Sequence, residues 1–299
     1  MSDLPAALAF LGVQEPFEKA SVAVLPVPYD LTTTYQPGAR FGPRAILTAS
    51  LDVELFDDEL RWDPSRAGIH TLDPLEPIAS GPEAMVGLIA GAVRGVFHAG
   101  KFPLLLGGDH SITIGALAAV HTDWENPWIL HFDAHADLRE EYQGTPFSHA
   151  CVMARARESF ECMQVGVRSW SEEEDAVLWE RPERVLRVAD VEGNLGTAAA
   201  RLCEVLGDPV YVTVDLDCLD PAIMPATGTP EPGGLSWRAL TYLLRVVAEQ
   251  RHVVGFDVTE LSPIPGLIAP DFLAARLAAK MIGYVFHPRP DRLSSSGGS

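Results

Sequence analysis

Cysteine is scarce and scattered in this chain. Cys151, Cys162, Cys203 and Cys218 lie far apart with no CxxC pair, which excludes a disulfide framework and leaves them as small buried side chains. Cations are scarce too: 22 Lys and Arg face 41 Asp and Glu, a formal net charge of −19. That imbalance argues against nucleic acid or an anionic membrane surface as partner and suits a small cationic ligand. No apolar run can span a bilayer, since charges such as Arg276 and Lys280 interrupt even the last helical pattern. The opening MSDLPAALAFLGVQEPFEK has no basic segment before its short apolar patch and no Arg, unlike a secretory signal or a transit peptide. The expected location is the cytoplasm.

What the chain does have is alternation, and at 47% hydrophobic over 299 residues it has ample material for a core. Short apolar runs that read as strands occur at Ser21–Pro26, around Ile69, before Gly107, at Trp128–Phe132, Cys162–Val167, Val185–Val188, Val210–Val214 and His252–Phe256. Helical patterns intervene, starting near Pro43, at Pro82–His98, from Ser111, at Ala198–Leu206 and Ser236–Gln250, with a last one at about Asp271–Val285. Strands that alternate with amphipathic helices pair in parallel through helical crossovers, so the fold class is α/β, with a sheet covered on both faces. No internal repeat or interdomain linker interrupts it. The expected organisation is one domain over residues 1–286 and a flexible tail over 287–299, which ends SSSGGS.

The chemistry gathers just past the strands. Trp128–Phe132 runs directly into Asp133-Ala-His135-Ala-Asp137, and residues at i, i+2 and i+4 of extended chain leave on one face. Two carboxylates and an imidazole crowded at a strand end repel one another and lose hydration unless a cation compensates. Gly107 and Gly108 allow a tight turn before Asp109 and His110. Asp109 reads either as a ligand or as an orienter of an imidazole. Asp215 and Asp217, in VYVTVDLDCLDP, repeat the same-face spacing beyond another strand, whereas Asp220 before Pro221 reads as a turn residue. His110, Asp133, His135, Asp137, Asp215 and Asp217 together exceed what one tetrahedral zinc uses. An oxygen-rich set of this size suits hard divalent ions such as manganese, and two ions bridged by shared carboxylates fit better than one.

The ordered motifs GGDHS, DAHAD and DLDCLDPAIMPATGTPEPGGLS resemble those of the ureohydrolase family, dinuclear manganese enzymes that include arginase and agmatinase. The resemblance runs from GARFGPRAI to the last helix. It implies a three-layer αβα fold around a central, mainly parallel eight-stranded sheet, two manganese ions per subunit, and assembly as a homotrimer or homohexamer. It also implies hydrolysis of a guanidinium group to an amine and urea by a metal-bridging hydroxide. By motif, His110, Asp133, Asp137 and Asp215 would hold one ion, and Asp133, His135, Asp215 and Asp217 the other. Four aspartates and one hydroxide against two divalent cations leave about one net negative charge, which admits a guanidinium cation. Glu260, in VVGFDVTELSP, matches the family's guanidinium-gripping glutamate, and His149, in TPFSHAC, its proton-shuttling histidine, although Ala150 stands where many relatives have glycine. The catalytic set is therefore His149, Glu260 and Asp137. His131 reads as a buried neighbour of the metal shell, and His70, His98, His121, His252 and His287 as structural.

For the substrate, LREEYQGTPFSHA follows the DAHAD motif, where arginases place a Thr, Ser and Asn-rich stretch. Glu140 and Glu141 favour a tail ending in an amine, so the expected reaction is agmatine to putrescine and urea, with guanidinobutyrate or arginine as the alternatives. Arg139 in the same loop speaks for a carboxylate. Outside this class, a dinuclear metallophosphoesterase would run DxH, then GD, then GNH, and no GNH occurs here. A non-catalytic metal-binding protein would have no use for Glu260 and His149.

Overall fold

Runs rich in Val, Ile and Leu form the strands because branched side chains pack well on a pleated surface buried on both sides. The structure, a computed structural model, describes residues 8–288. In chain order its elements are β1 (Val22–Val27), α1 (Gly42–Ser50), β2 (Ile69–Thr71), α2 (Pro82–His98), β3 (Phe102–Gly107), α3 (Ile112–Asp123), β4 (Trp128–Phe132) and α4 (Val152–Arg157). There follow β5 (Glu161–Val165), α5 (Glu172–Leu178), β6 (Val185–Leu186), α6 (Val188–Gly193), α7 (Leu195–Val205), β7 (Val210–Asp215), α8 (Trp237–Gln250), β8 (Val253–Thr259) and α9 (Ala269–Phe286). The eight strands form one sheet in the order β2-β1-β3-β8-β7-β4-β5-β6, and every pairing is parallel. This is the three-layer α/β architecture that the resemblance implies.

The period of two along each strand sends alternate side chains to opposite layers. Val24, Leu104, Leu130, Val212 and Phe256 face a core built with α1, α7, α8 and α9. Leu25, Leu105, Ile129, Tyr211 and Val254 face a second core built with α2, α3 and α4. The departures from expectation are local. The strand expected at Val185–Val188 stops at Leu186, and Val188 opens α6, because the Asp190 carboxylate accepts the Arg187 N–H at 3.0 Å and starts a helix there. Helices α4 and α5 are additions to the expected pattern; Ser171 and Glu174 form a capping box across the N-terminus of α5. The tail expectation falls largely on residues 289–299, outside the described residues.

The central strands β3, β8, β7 and β4 are consecutive neighbours, so their C-terminal ends open side by side on one edge of the sheet. Gly107, Thr259, Asp215 and Phe132 close those strands. Such an edge, flanked by crossovers on both faces, is where open α/β sheets collect ligands.

Candidate metal centre

Each of the four strand ends delivers polar side chains to one place. From β3 the chain turns sharply at Gly108, whose position would put a Cβ 1.7 Å from the Tyr29 carbonyl oxygen, so only glycine lets His110 swing inward. From β4 come Asp133, His135 and Asp137. Regular strand ends at Phe132, and Asp137 takes a left-handed conformation with φ +53°. Asp133, His135 and Asp137 therefore depart from regular strand, as expected of ligands divided between two ions. Glu260, just past β8, is left-handed as well, with φ +65°. Non-glycine residues in that region cost about 1–3 kcal/mol each and persist where surrounding contacts hold them.

All six expected ligands converge, in two sets. His110 Nδ1 lies 3.0 Å from Asp133 Oδ2, 3.4 Å from Asp137 Oδ2 and 3.3 Å from Asp215 Oδ2. His135 Nδ1 lies 3.4 Å from Asp133 Oδ1 and 3.0 Å from Asp217 Oδ2. Asp133 thus offers one oxygen to each set. Neighbouring donors around an octahedral ion at about 2.1 Å sit about 3 Å apart, so these spacings are those of coordination shells. His110 Nδ1 makes the same point from hydrogen bonding: it is buried and has no hydrogen-bond partner among the described residues. Its other nitrogen, Nε2, is engaged 2.8 Å from Thr213 Oγ1, and Thr213 in turn donates to Asp257 Oδ1 at 2.6 Å. Nε2 therefore carries a proton and donates it to Thr213, which leaves Nδ1 buried and aimed among three carboxylate oxygens. A proton or a metal cation must stand between them, and the donor set fits divalent metal.

Electrostatics agree. Burial, then the neighbouring Asp217 and Asp133, push the Asp215 carboxyl well above the ordinary carboxylate range. Burial raises Asp217 in spite of His135. At Asp133 burial is outweighed by His131, His110 and His135, which hold it well below that range. Burial would lower His110 and His135, but the surrounding aspartates raise both. Left to itself the cluster would have to hold protons between its members, and divalent cations would replace them.

His131 belongs to a layer beneath the ligands. Its Nε2 is 2.9 Å from Asp133 Oδ2, which is close enough to make it a ligand candidate beside His110, Asp133 and Asp137. Gln164 decides otherwise. Its amide nitrogen donates to the Ala136 carbonyl at 2.9 Å and lies 3.1 Å from His131 Nδ1, so Nδ1 accepts and Nε2 carries a proton toward Asp133. Gln164, His131, Thr213 and Asp257 stand abreast on β5, β4, β7 and β8. Tyr211 and Thr113 also donate to Asp257, at 2.8 and 3.1 Å. Apart from His131, none of these was singled out in the sequence. The available signal is a polar residue interrupting an apolar strand, as Asp257 does in VVGFDVT.

A narrow cleft lies over the two sets, lined by Thr33, Thr34, His135, Asp137, His149, Asp215, Asp217, Gly228, Thr229 and Glu260. The loop after β1 thus borders the site. Glu260 Oε1 accepts the His110 N–H at 2.7 Å, while Oε2 lies by Gly228 in the cleft wall. Burial, then Asp109, raise the Glu260 carboxyl well above its usual range, and a cation bound there would favour its charged form. An adjoining cavity of about 270 Å³ shares Thr34, His135, Asp137, His149 and Thr229 with the cleft and continues past Arg139, Tyr142, Trp170 and Glu174. Glu140 and Glu141, on which the amine-tail expectation leaned, do not line it. Glu140 is exposed and pairs with Arg155, whereas Glu174, which sequence did not single out, sits buried in the wall. Asp220 is the turn residue expected, accepting the N–H groups of Ala222, Gly233 and Gly234. The cysteines are unpaired thiols: burial pushes Cys151 up to about 11 and Cys162 to about 12, and Cys218, next to Asp217, is raised by burial and by Asp215, Asp217 and Asp133.

Comparison with known proteins gives a consistent neighbourhood. The sequence profile of the arginase family matches residues 20–285. An N(1)-aminopropylagmatine ureohydrolase of Thermus thermophilus is 40% identical over 277 residues, 92% of this chain and 94% of that protein. An agmatinase of Bacillus subtilis is 33% identical over 259 residues, 85% of this chain and 88% of its own. Among solved structures, the agmatine ureohydrolase of Thermoplasma volcanium superposes with a TM-score of 0.84 at 30% identity, covering 94% of each chain.

Proposed function

Since this chain belongs to the arginase family and is a hydrolase of amidine C–N bonds, we propose that it is a manganese-dependent ureohydrolase that releases urea from agmatine or a close amine-tailed relative. The observation that carries this is the pair of His and Asp sets sharing Asp133 beneath a cleft that also presents Glu260 and His149. His110 and Asp137 would hold one ion, His135 and Asp217 the other, with Asp133 and Asp215 serving both. Bound there, two divalent ions would supply a water deprotonated near neutral pH. Glu260 receives the guanidinium in a charge-assisted contact through the oxygen that His110 N–H leaves free. His149, at the rim, delivers a proton to the departing amine nitrogen, so that the C–N bond breaks while the oxygen of the added water stays on carbon as urea and both of that water's protons end on the amine. The proposed setting is cytoplasmic, with three or six copies assembled.

The adjoining cavity supports an amine tail: Tyr142, Trp170 and the Glu174 carboxylate line it, and aromatic rings with a carboxylate suit an ammonium group. Arg139 lies over the Tyr142 ring, 5.0 Å from its centroid, and is the feature that would instead favour a carboxylate. The cavity's size favours a second reading within the same class, in which the substrate is N(1)-aminopropylagmatine, the compound named for the Thermus relative. The test is urea release from agmatine, N(1)-aminopropylagmatine, arginine and guanidinobutyrate at equal concentration on manganese-loaded protein. Expected is a kcat/KM at least about tenfold higher for an amine-tailed compound, because a mismatched charge in a built pocket is poorly tolerated. A preference for either carboxylate-bearing compound would overturn the proposal, and a further tenfold in favour of the aminopropyl compound would select the second reading.

A further inference from the structure

Asp109 is a fully buried carboxylate to which the chemistry above gives no task. It cannot be idle filler, because burying a carboxylate is costly unless each lone pair is met. Its partners are neutral donors from two places. Thr32 donates both its backbone N–H and its hydroxyl to Oδ2, at 2.9 and 2.8 Å. Ser111 donates its N–H to Oδ1 at 3.2 Å and its hydroxyl to the same oxygen. The Thr32 hydroxyl has only one proton, and a carboxylate at 2.8 Å is the strongest acceptor within its reach. Thr32 Oγ1 can then only accept from other groups.

Two groups of His149 meet that oxygen. The His149 backbone N–H donates to it at 3.0 Å, and the ring Nδ1 lies 3.3 Å away. With the Thr32 proton committed to Asp109, an unprotonated Nδ1 would set lone pair against lone pair, so Nδ1 must carry hydrogen. Ser148 Oγ, also 3.3 Å from Nδ1, can turn to donate or accept and so selects neither form. Tyr142 meets the imidazole edge-on, with ring centroids 6.1 Å apart. We propose that Thr32, held by Asp109, is a positioning residue that fixes His149 as its Nδ1–H tautomer, leaving Nε2 as the nitrogen that exchanges a proton with the cleft. The relay uses the second imidazole nitrogen to set the first, as an orienting carboxylate does elsewhere, with a threonine interposed. It rests on the reading of His149 as proton carrier.

The experiment is a double-mutant cycle on manganese-loaded protein with the best substrate of the panel, comparing wild type, T32V, H149A and T32V/H149A, with T32S as the conservative control. T32V is expected to lower kcat between about tenfold and a hundredfold, with KM within about twofold and metal content unchanged. T32S keeps the hydroxyl and should restore most of the loss. In the H149A background, T32V should change kcat by less than about twofold, because the residue it positions is gone. The same fold loss in both backgrounds, or a T32V enzyme with wild-type kcat, overturns the inference alone. An H149A enzyme with undiminished kcat removes the proton-carrier reading and the inference with it. Should valine disturb the loop and reduce metal content, T32A repeats the cycle with the same expected outcomes.

Discussion

Asp133 carries more constraints than any other residue of the centre. Its Oδ1 accepts the His135 N–H at 2.6 Å and its Oδ2 meets His131 Nε2 at 2.9 Å, while the two oxygens face His135 Nδ1 and His110 Nδ1 respectively. Both ring systems on its Oδ2 side stack, with His110 and His131 centroids 5.2 Å apart, so neither can turn away without the other. The sharing predicts an asymmetry in metal content, measured by elemental analysis after manganese loading. H110A and H135A should each keep about one ion per chain, whereas D133A should keep neither. Equal loss in all three variants would mean that the two sets are not separate sites. The sets also show what sequence can carry at this scale. Asp, His and glycine placed after strands advertise chelation by their residue type, whereas Thr32 is one threonine of three in LTTTY, and only its distance to Asp109 and His149 separates it from the others.

At the scale of elements, the last helix is anchored away from the site by a buried ion cluster. Lys280 on α9 donates to Asp57 at 2.9 Å and to Glu59 at 2.8 Å, and the Tyr284 hydroxyl also donates to Glu59 at 2.8 Å. Burial works against Asp57, but the Lys280 ammonium and two backbone N–H groups hold its carboxyl below the usual range. Glu59 is likewise opposed by burial and lowered by Lys280 and Tyr284. Burial would lower Lys280, yet the two carboxylates raise it. The carboxylates' share of stability is therefore complete above about pH 4, their unfolded value, and is lost as the pH falls through their lower folded values. The Lys280 share is complete below about pH 10.4 and is lost only as the pH rises past its raised folded value. K280M, which leaves Asp57 without a cation and Glu59 with Arg245 alone, should cost about 3 kcal/mol at pH 7, the low end for a broken buried pair because Glu59 stays partly exposed and paired. Urea unfolding at pH 7 and pH 3 should show the gap narrowing in acid. A gap of the same size at both values would show that the lysine contributes packing rather than charge.

For the whole molecule, the centre joins four strands that are far apart in sequence, so the ions are expected to contribute to folding as well as chemistry. Each ion held at a hundredfold excess over its dissociation constant adds about 2.7 kcal/mol, and a chain of this size gains about 2–4 °C per kcal/mol. Chelation should therefore lower the melting temperature by roughly 5–10 °C per ion, with recovery on adding manganese; an unchanged melting temperature would show that the aspartates fold stably without cations. Sedimentation of the same samples should report three or six copies. Among the described residues no helix is long and apolar enough to cross a membrane.

Sequence alone determined the α/β alternation, all eight strands in outline, and the six candidate metal ligands, because strand periodicity and chelating residue types are local properties of the chain. It also led to the family, through three ordered motifs. What tertiary structure alone decided is which strands are neighbours and what stands beneath and beside the ligands. The order β3-β8-β7-β4 brings His110, Glu260, Asp215 and Asp133 together, although more than a hundred residues separate the first from the third. The row of Gln164, His131, Thr213 and Asp257 exists only through strand register, and the link from Asp109 through Thr32 to His149 only through the packing of three loops. Glu174 replaced Glu140 and Glu141 in the cavity wall for the same reason. A carboxylate's exposure depends on which loop covers it, and no local pattern of residues encodes that.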